Sequence, residues 1–410
     1  MPQQLSDTTA YLRNQIDWPQ AFPPEEYDER RRKVRRALAA AGIDAIYVTQ
    51  PADLTYLTGY DMIWYHTRAM TGLLLRADGE ERLWFDETGH ATIVATTPEI
   101  GEVVWFDEAS GELPIRRIVG AFAERGLGRG RIALQPWGYS PHARVTEALA
   151  EAFRAGGAEV VEASHLIEEI RLVKSPLEIA VVREAAAMAD RAMAAGRDAI
   201  AEGVKETEIE AAIMHSLMTE GGGYPGIRSM VGSGPRAGTH HSAPTHRRIR
   251  RGDLVFVDFC SALHRYHVNL NRTFSLGAPD ERWTRLMQAS AGCVERIVAE
   301  VKPGNPWSRV AAVGEAYLQE RDLARYVWWA GGYALGISLP PDWTGAYFAR
   351  PIWGMPERPI EPGMVFNYEN QFDVWEDWPG GSGAAYIESL LVTESGLEIL
   401  SGLPRHLVAV

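Results

Sequence analysis

The sequence predicts an α/β domain followed by an α+β domain, and three observations support this prediction. A chain of 410 residues is too long for one ordinary hydrophobic core, so two domains are expected. In the first part, short strand patterns alternate with helical patterns, which is typical of an α/β domain. In the second part, apolar strands are separated by pairs of helices, which favours α+β. The segment Glu168–Pro176 marks the boundary, giving domains of residues 1–168 and 169–410.

In the first domain, residues 1–24 are polar and are expected to form a tail or arm. An amphipathic helix is predicted from Glu25 to Ala41, where Gly42 ends it. The remaining predicted elements are strands at 45–49, 71–75, 82–85, 131–134 and 159–161 and helices around 115–125 and 142–155. Their alternation along the chain is the evidence for the α/β class.

The second domain is predicted to open with a capped helix, since Pro176 suits the first helical position and Ser175 suits the N-cap. This alanine-rich helix is expected to run to about Ala201. A second helix follows from Lys205 to Glu220 and ends at three glycines. The other predicted elements are strands at 254–259, 364–368 and 385–392 and helices at 283–301 and 308–320.

The composition excludes several classes of protein. A net charge of −13 argues against nucleic-acid binding, and the short basic run Arg30–Lys33 is expected to lie on a solvated helix face. Two cysteines, Cys260 and Cys293, cannot form a disulfide framework. No apolar stretch approaches the roughly 20 residues of a membrane span, and the N-terminus has no signal-peptide pattern. A cytoplasmic protein that binds neither nucleic acid nor membrane is therefore predicted.

Three acids lie in or beside apolar strand patterns: Asp258, Glu369 and Glu388. A carboxylate in an apolar strand is costly unless something pairs with it, so each needs a partner. The acids either form three separate ion pairs or share a polar cavity, where they would bind a metal or cation or act as acid and base. A loop before the Asp258 strand carries three histidines in seven residues, among them His241. This clustering favours at least one functional histidine.

Several motifs occur in an order that resembles one known superfamily. They are Lys174-Ser175-Pro176 with Glu178-Ile179, the loop histidine His241, Gly252-Asp253 with Asp258-Phe259, Arg272-Thr273-Phe274, Glu361-Pro362-Gly363-Met364 with Glu369, and Glu388 in a final strand. This order is similar to the creatinase/prolidase/methionine-aminopeptidase superfamily and covers essentially the whole chain. The resemblance implies the pita-bread fold for the catalytic domain and a homodimer with sites near the subunit interface.

The resemblance also implies a departure from the metallopeptidase members. Those enzymes hold two metal ions with the ligands Asp, Asp, His, Glu and Glu. This chain has Asp258, Asn269, Tyr333, Glu369 and Glu388 at the matching positions. Asparagine is a poor bridge between two divalent cations, and a tyrosine with a pKa near 10 is a poor ligand. No two-metal centre and no other cofactor are therefore expected, although His267 leaves a single improvised metal possible.

Loss of the metal ligands resembles the metal-free branches, creatinase and ectoine hydrolase. By that resemblance, His241, Asp258, Glu369 and Glu388 are expected to be catalytic. The expected substrate-binding residues are Trp64, His66, Arg68, Tyr266, His267, Asn269, Tyr333 and Trp343. Alternation along the strand also places Cys260 on the face of Asp258, where it would line the pocket.

The favoured hypothesis is a metal-independent hydrolase that breaks a C–N bond in a small zwitterionic guanidino or amidine compound. Glu369 and Glu388 would grip the cation and His241 would take a proton from water, while Asp258 would be an anchor or a nucleophile. A lyase acting on a sulfonium or betaine zwitterion is an alternative. An Xaa-Pro metallopeptidase and a non-catalytic binding protein are the others.

Overall fold

We describe the protein from a computed structural model, in which most of the chain is placed. The description covers every residue except 1, 16–19, 62–69, 98, 107–113, 239–240, 346, 350–356 and 375–382, and it omits the side chains of 2–6. The chain forms two compact units, Met1–Arg171 and Leu172–Val410. No described helix is long and apolar enough to cross a membrane.

The first unit is an α/β domain, as the sequence predicts. Its described strands are β1 (Ala45–Val48), β2 (Gly72–Arg76), β3 (Arg82–Glu87), β4 (Glu102–Phe106), β5 (Arg131–Leu134) and β6 (Glu159–Glu162). They form a mixed sheet in the order β4-β3-β2-β1-β5-β6. Its described helices are α1 (Pro2–Gln15), α2 (Pro24–Ala40), α3 (Pro51–Thr58), α4 (Ala91–Ala95), α5 (Ile115–Glu124), α6 (Ala143–Ala155) and α7 (Leu166–Leu172). Tyr47, Phe85, Phe122 and Phe153 are central to the core beneath this sheet.

Two expectations for the N-terminal region are wrong. Residues 2–15 form the helix α1 rather than a tail, and Thr9 within it is buried. Arg30 and Arg31 are also buried rather than solvated. Their guanidinium groups donate to the main-chain oxygens of Tyr56 and Leu57, at 3.0 and 2.8 Å. Arg30 also pairs with Glu26 at 3.1 Å and Arg31 with Glu99 at 2.7 Å, so the buried charges are tolerated because they are both paired and hydrogen-bonded.

The second unit is an α+β domain built around an antiparallel sheet. Its described strands are β7 (Met230–Ser233), β8 (Leu254–Leu263), β9 (Tyr266–Ser275), β10 (Val327–Gly331), β11 (Val365–Asp373), β12 (Gly383–Thr393), β13 (Gly396–Ile399) and β14 (Val408–Ala409). The main path is β10-β11-β12-β9-β8-β7, with β13 beside β12 and β14 beside β9. The described helices are α8 (Pro176–Asp198), α9 (Glu206–Thr219), α10 (Glu281–Glu300) and α11 (Ser308–Gln319). The 3₁₀ turns among the described residues are Thr88–His90, Gly234–Arg236 and Ala324–Tyr326.

Helix α8 begins where the sequence predicts. The side chain of Ser175 accepts a hydrogen bond from the Glu178 main-chain N–H, and the Glu178 carboxylate accepts one from the Ser175 N–H. This reciprocal pair satisfies two donors that a helix start leaves without a partner. The phenol of Tyr266 on β9 also donates to Glu178, at 2.7 Å. The start of α8 is therefore tied to the central sheet.

The two faces of the second sheet differ in character. Ser261 on β8 donates to the Ala185 main-chain oxygen of α8, and Asn370 on β11 bonds Ser290 of α10. These contacts identify the face that the helices cover. Asp258 lies three residues before Ser261 on the same strand, so its side chain points to the opposite face. Polar side chains on that opposite face make up the candidate site.

Candidate active site

The neighbouring strands β8 and β9 bring Asp258 and Asn269 together. In the register of this hairpin, Asp258 stands opposite Asn271, and Cys260 stands opposite Asn269. Residues directly opposite one another in an antiparallel pair share a face, so all four lie on one side of the sheet. The amide nitrogen of Asn269 donates to Asp258 Oδ1 at 2.9 Å. Cys260 thus shares the face of Asp258, as alternation predicts.

A chain of amides connects Asp258 to the second acid, Glu369. The Oδ1 atom of Asn269 accepts from Asn367 Nδ2 at 2.9 Å, and the same nitrogen donates to Glu369 Oε1 at 2.6 Å. Gln371 Nε2 donates to Glu369 Oε2 at 3.1 Å. Asn367 and Gln371 flank Glu369 at two-residue spacing on β11, so strand alternation alone puts all three on one face. Asp258 and Glu369 therefore belong to one group of side chains.

Burial dominates the electrostatics of both acids. It raises the pKa of Asp258 to about 8, and the nearby Glu369 charge raises it further, while the hydrogen bond from Asn269 opposes the shift. Burial also raises the pKa of Glu369 to about 7, against hydrogen bonds from Tyr333, Asn367 and Gln371. No arginine or lysine among the described residues forms an ion pair with either acid. Near neutral pH the pair therefore holds a proton unless a cation binds between or beside its members.

Tyr333 and Trp343 complete one wall of the site. Burial keeps the pKa of Tyr333 well above its ordinary value, so its phenol is neutral and donates to Glu369. The same hydroxyl accepts from Trp343 Nε1 at 3.0 Å. The ring of Phe348 lies 5.7 Å from that of Tyr333, measured between centroids. Two residues proposed to bind substrate thus lie within one or two hydrogen bonds of Glu369.

Glu388 is not brought to this group, in contrast to the expectation of a shared cavity. On β12 it stands opposite Tyr368, whereas Glu369 stands opposite Ile387, so the two glutamates project from opposite faces. Glu388 Oε1 accepts from Arg272 at 2.7 Å and from the phenol of Tyr386 at 3.1 Å. The acid therefore forms the ion pair that was the alternative to a shared cavity.

His267 and Tyr266 both form hydrogen bonds that hold neighbouring parts of the fold together. The Nε2 atom of His267 accepts from the Gly226 N–H and its Nδ1 atom contacts the Arg265 main-chain oxygen, both at 2.8 Å. Burial lowers the pKa of His267 to about 4, so the ring is neutral. The phenol of Tyr266 is committed to Glu178. His267 therefore holds the loop of Gly226, and Tyr266 holds the start of α8. Their role in substrate binding stays a prediction.

Four predicted residues remain, and of these only His241 is among the described residues. His241 lies at an exposed turn with φ of +64°, and its ring packs edge-on against Trp328 with centroids 5.6 Å apart. No described hydrogen bond joins His241 to Asp258 or Glu369. The predicted residues Trp64, His66 and Arg68 lie outside the described part of the chain.

The side chains present do not fit a two-metal centre. Asn269 directs its amide N–H, and not an oxygen, at Asp258, and Asn367 does the same at Glu369. An amide N–H cannot ligate a cation, and Tyr333 uses its own proton to bond Glu369. Within the described residues, no three His, Cys, Asp or Glu side chains are grouped to hold a metal ion. Hydrogen-bond donors thus lie where a two-metal centre would need negatively charged bridging ligands.

Several residues of the site were not found from the sequence. Asn367 and Gln371 had a usable signal, because polar residues alternate with apolar ones through Asn367-Tyr368-Glu369. Trp329 was also missed, although it stands opposite Gln371 in the β10–β11 pair. Its signal was weaker, since a tryptophan in a strand is most often a core residue.

Family models match both units of the chain. The model of metallopeptidase family M24 matches residues 180–394, and the model of the creatinase/prolidase N-terminal domain matches residues 30–173. The first of these spans alone covers more than half of the 410 residues.

Relatives of known name match over nearly the full length. Ectoine hydrolase of Halomonas elongata is 29% identical over 94% of this chain and 98% of its own length. A hydrolase/peptidase of Sinorhizobium fredii, itself uncharacterised, is 30% identical over 96% of this chain and 99% of its own.

Solved structures share the fold at lower identity. Prolidase of Thermococcus sibiricus has a TM-score of 0.81 at 21% identity, covering 94% of this chain and 99% of its own. Xaa-Pro dipeptidase of Bacillus anthracis has a TM-score of 0.78 at 22% identity, covering 94% of this chain and 100% of its own. These likenesses confirm the pita-bread fold of the second unit. With the matches above, they show that this chain is a hydrolase of metallopeptidase family M24 with a creatinase/prolidase-type N-terminal domain.

Proposed function

We propose that this hydrolase breaks a C–N bond in a small zwitterionic substrate whose guanidinium or amidinium group binds at Asp258 and Glu369, and that it does so without a metal. One observation carries the proposal: two buried acids on one sheet face are connected through amide donors and have no described cationic partner. A cationic substrate supplies the missing charge. The 29% identity to ectoine hydrolase supports the same substrate class.

The surroundings of the two acids suggest different roles. Glu369 receives hydrogen bonds from Tyr333, Asn367 and Gln371, all of which favour its ionised form. We assign it to hold the substrate cation. Asp258 receives a hydrogen bond from Asn269 at Oδ1, and Oδ2 has no partner among the described residues. With the higher pKa of the two, Asp258 is assigned to donate a proton to the leaving nitrogen.

In this scheme water attacks the central carbon of the cation, and the C–N bond breaks once the nitrogen is protonated. Water needs a base, and His241 is the candidate, because a neutral imidazole nitrogen can accept a proton. Its position on an exposed turn leaves the ring accessible from outside the sheet. Its contact with Trp328 places it beside strand β10, which pairs with the strand of Glu369.

Metal removal tests the proposal directly. After exhaustive treatment with EDTA, the enzyme is expected to keep full turnover of a cyclic amidine such as ectoine or of a guanidino acid such as creatine. The reaction is run in water enriched in ¹⁸O, product is separated by chromatography, and its ¹⁸O content is read from its mass. Hydrolysis incorporates solvent oxygen into the product, and a lyase reaction does not. Activity lost with EDTA and restored by Mn²⁺ or Zn²⁺, above all on Xaa-Pro dipeptides, would contradict the proposal.

Substitution of His241 by alanine is expected to lower kcat by roughly 10²–10⁴-fold, the usual contribution of a general base. The Michaelis constant is expected to change little, since the ring has no described contact with the cation-binding acids. His246, on the same loop and exposed, offers the matched control: His246→Ala is expected to retain activity. Equal activity of wild type and His241→Ala would remove His241 from the mechanism.

A further inference from the structure

The strand beside Glu369 has a tryptophan next to a glycine on the candidate-site face. In the β10–β11 pair, Gly331 stands directly opposite Glu369 and Trp329 stands opposite Gln371. Ala330, between them, packs into the core on the helix-covered face. Trp329 and Gly331 therefore project toward the same side as Glu369.

The indole of Trp329 lies over the place that a side chain at Gly331 would fill. A Cβ atom built on Gly331 would come within 3.0 Å of Trp329 Cζ2, 3.3 Å of Cε2 and 3.6 Å of Cη2. Because Gly331 stands opposite Glu369, this ring lies over the residue that neighbours the acid across the strand pair. Tyr333, two residues beyond Gly331, donates to Glu369 from the other side. Aromatic groups thus flank the acid along β10 and the loop after it.

An aromatic wall next to an anion distinguishes between kinds of cation. A primary ammonium is compact and strongly hydrated, so acceptor oxygens stabilise it and a ring face adds little. A guanidinium, an amidinium or a methylated ammonium is more weakly hydrated and presents a broad face or methyl groups to the ring. The ring quadrupole attracts such a cation even where no hydrogen bond forms.

We propose that Trp329 determines specificity by selecting a delocalised or alkylated cation over a primary ammonium at Glu369, and that Gly331 is required because any side chain there would displace the indole. This inference rests on the proposed function for the location of the substrate cation. It adds to that function a residue and a selection rule that the acids alone do not give.

Three probes that share a carboxylate test the selection rule. They are glycine betaine, its isostere 3,3-dimethylbutanoate, in which carbon replaces the positively charged nitrogen, and glycine. Their dissociation constants are measured by calorimetry on the full-length protein. We expect wild type to bind the betaine at least tenfold more tightly than either of the others. Trp329→Leu is expected to lose about tenfold in betaine affinity without a change for the isostere, whereas Trp329→Phe retains most of the preference.

Two further variants separate the ring contact from a general effect. Gly331→Ala is expected to reduce the betaine preference, because its methyl group requires the indole to move. Trp137→Leu, at a tryptophan with 70% exposure in the first unit, is expected to leave all three affinities unchanged. Thermal denaturation midpoints close to wild type confirm that the variants are folded.

The possible failures are distinguishable. Equal affinity of wild type for the betaine and its isostere, no binding of any probe, or an equal loss for all probes in Trp329→Leu overturns the role of Trp329. None of these results bears on whether ectoine or creatine is hydrolysed. Conversely, a betaine preference that depends on Trp329, without C–N hydrolysis, sinks the proposed reaction and leaves the cation selection standing.

Discussion

Replacing Asp258 by asparagine is expected to lower kcat by roughly 10²–10⁴-fold, because the variant lacks the proton assigned to the leaving nitrogen. The asparagine oxygen can still accept from Asn269, so the local geometry is retained. Steady-state kinetics against pH provide the measurement. Wild type is expected to lose activity below about pH 7, where Glu369 becomes protonated, and above about pH 8, where Asp258 loses its proton. Residual activity of Asp258→Asn is expected to lack the alkaline limb.

Cys260→Ala is the matched control, since Cys260 lies on the same face two residues from Asp258. Burial keeps the pKa of its thiol well above the ordinary value, so it is protonated and a poor nucleophile. We expect this variant to keep its turnover and both limbs of the pH profile. If Asp258→Asn were as active as Cys260→Ala, the assignment of Asp258 as the proton donor would be wrong.

The same two acids also make the stability of the protein depend on pH. Both carboxyls have a raised pKa in the folded state, so the folded protein binds more protons than the unfolded chain between about pH 4 and pH 8. The free energy of unfolding is therefore expected to fall as the pH rises through this window. In urea titrations at pH 5 and pH 8, Asp258→Asn should show a smaller fall than wild type.

Replacing Arg272 by methionine is expected to lower the free energy of unfolding by roughly 3–5 kcal/mol, the usual cost of removing one member of a buried ion pair. Arg272 is 4% exposed and Glu388 is 0% exposed, so the buried carboxylate would lose the cation that it is paired with. Arg272 also donates to the main-chain oxygens of Asn271 and Ile387, at 2.8 and 3.3 Å. Urea denaturation monitored by circular dichroism provides the measurement.

A double substitution tests the reason for this loss. Arg272→Met combined with Glu388→Gln removes the stranded charge and is expected to recover part of the lost stability. Comparison with Glu388→Gln alone completes the cycle and yields the coupling between the two residues. Equal stability of Arg272→Met and the double variant would show that charge pairing is not what holds β9 to β12 at this point.

The sequence predicts the fold well because periodicity and capping report it directly. The Ser175 N-cap and the strands of both acids were predicted from local patterns that the tertiary structure retains. The buried Arg30 and Arg31 were not predictable in this way. Arg30 and Arg31 have acidic partners at local spacing, Glu26 and Asp28, but their burial also depends on main-chain oxygens of α3, more than 25 residues away. No local pattern encodes those distant contacts.

The site was predictable in part for a related reason. Alternation within a strand places Asp258 with Cys260, and Asn367 with Glu369 and Gln371. The face of Glu388 depends instead on how β12 aligns with β11, where a shift of one residue reverses every side chain. The homodimer, the cytoplasmic location and the roles of Trp64, His66 and Arg68 stay predictions.

The hydrogen bonds between the two acids have a direction that affects proton movement. Asn367 donates to Asn269, and Asn269 donates to Asp258. Near neutral pH a primary amide neither gives up its nitrogen proton nor accepts one on oxygen, so this path transmits orientation and not charge. These amides therefore connect Asp258 and Glu369 without carrying a proton between them. In the proposed reaction, the amides hold the carboxyl of Asp258 in position while its proton passes directly to the leaving nitrogen of the substrate.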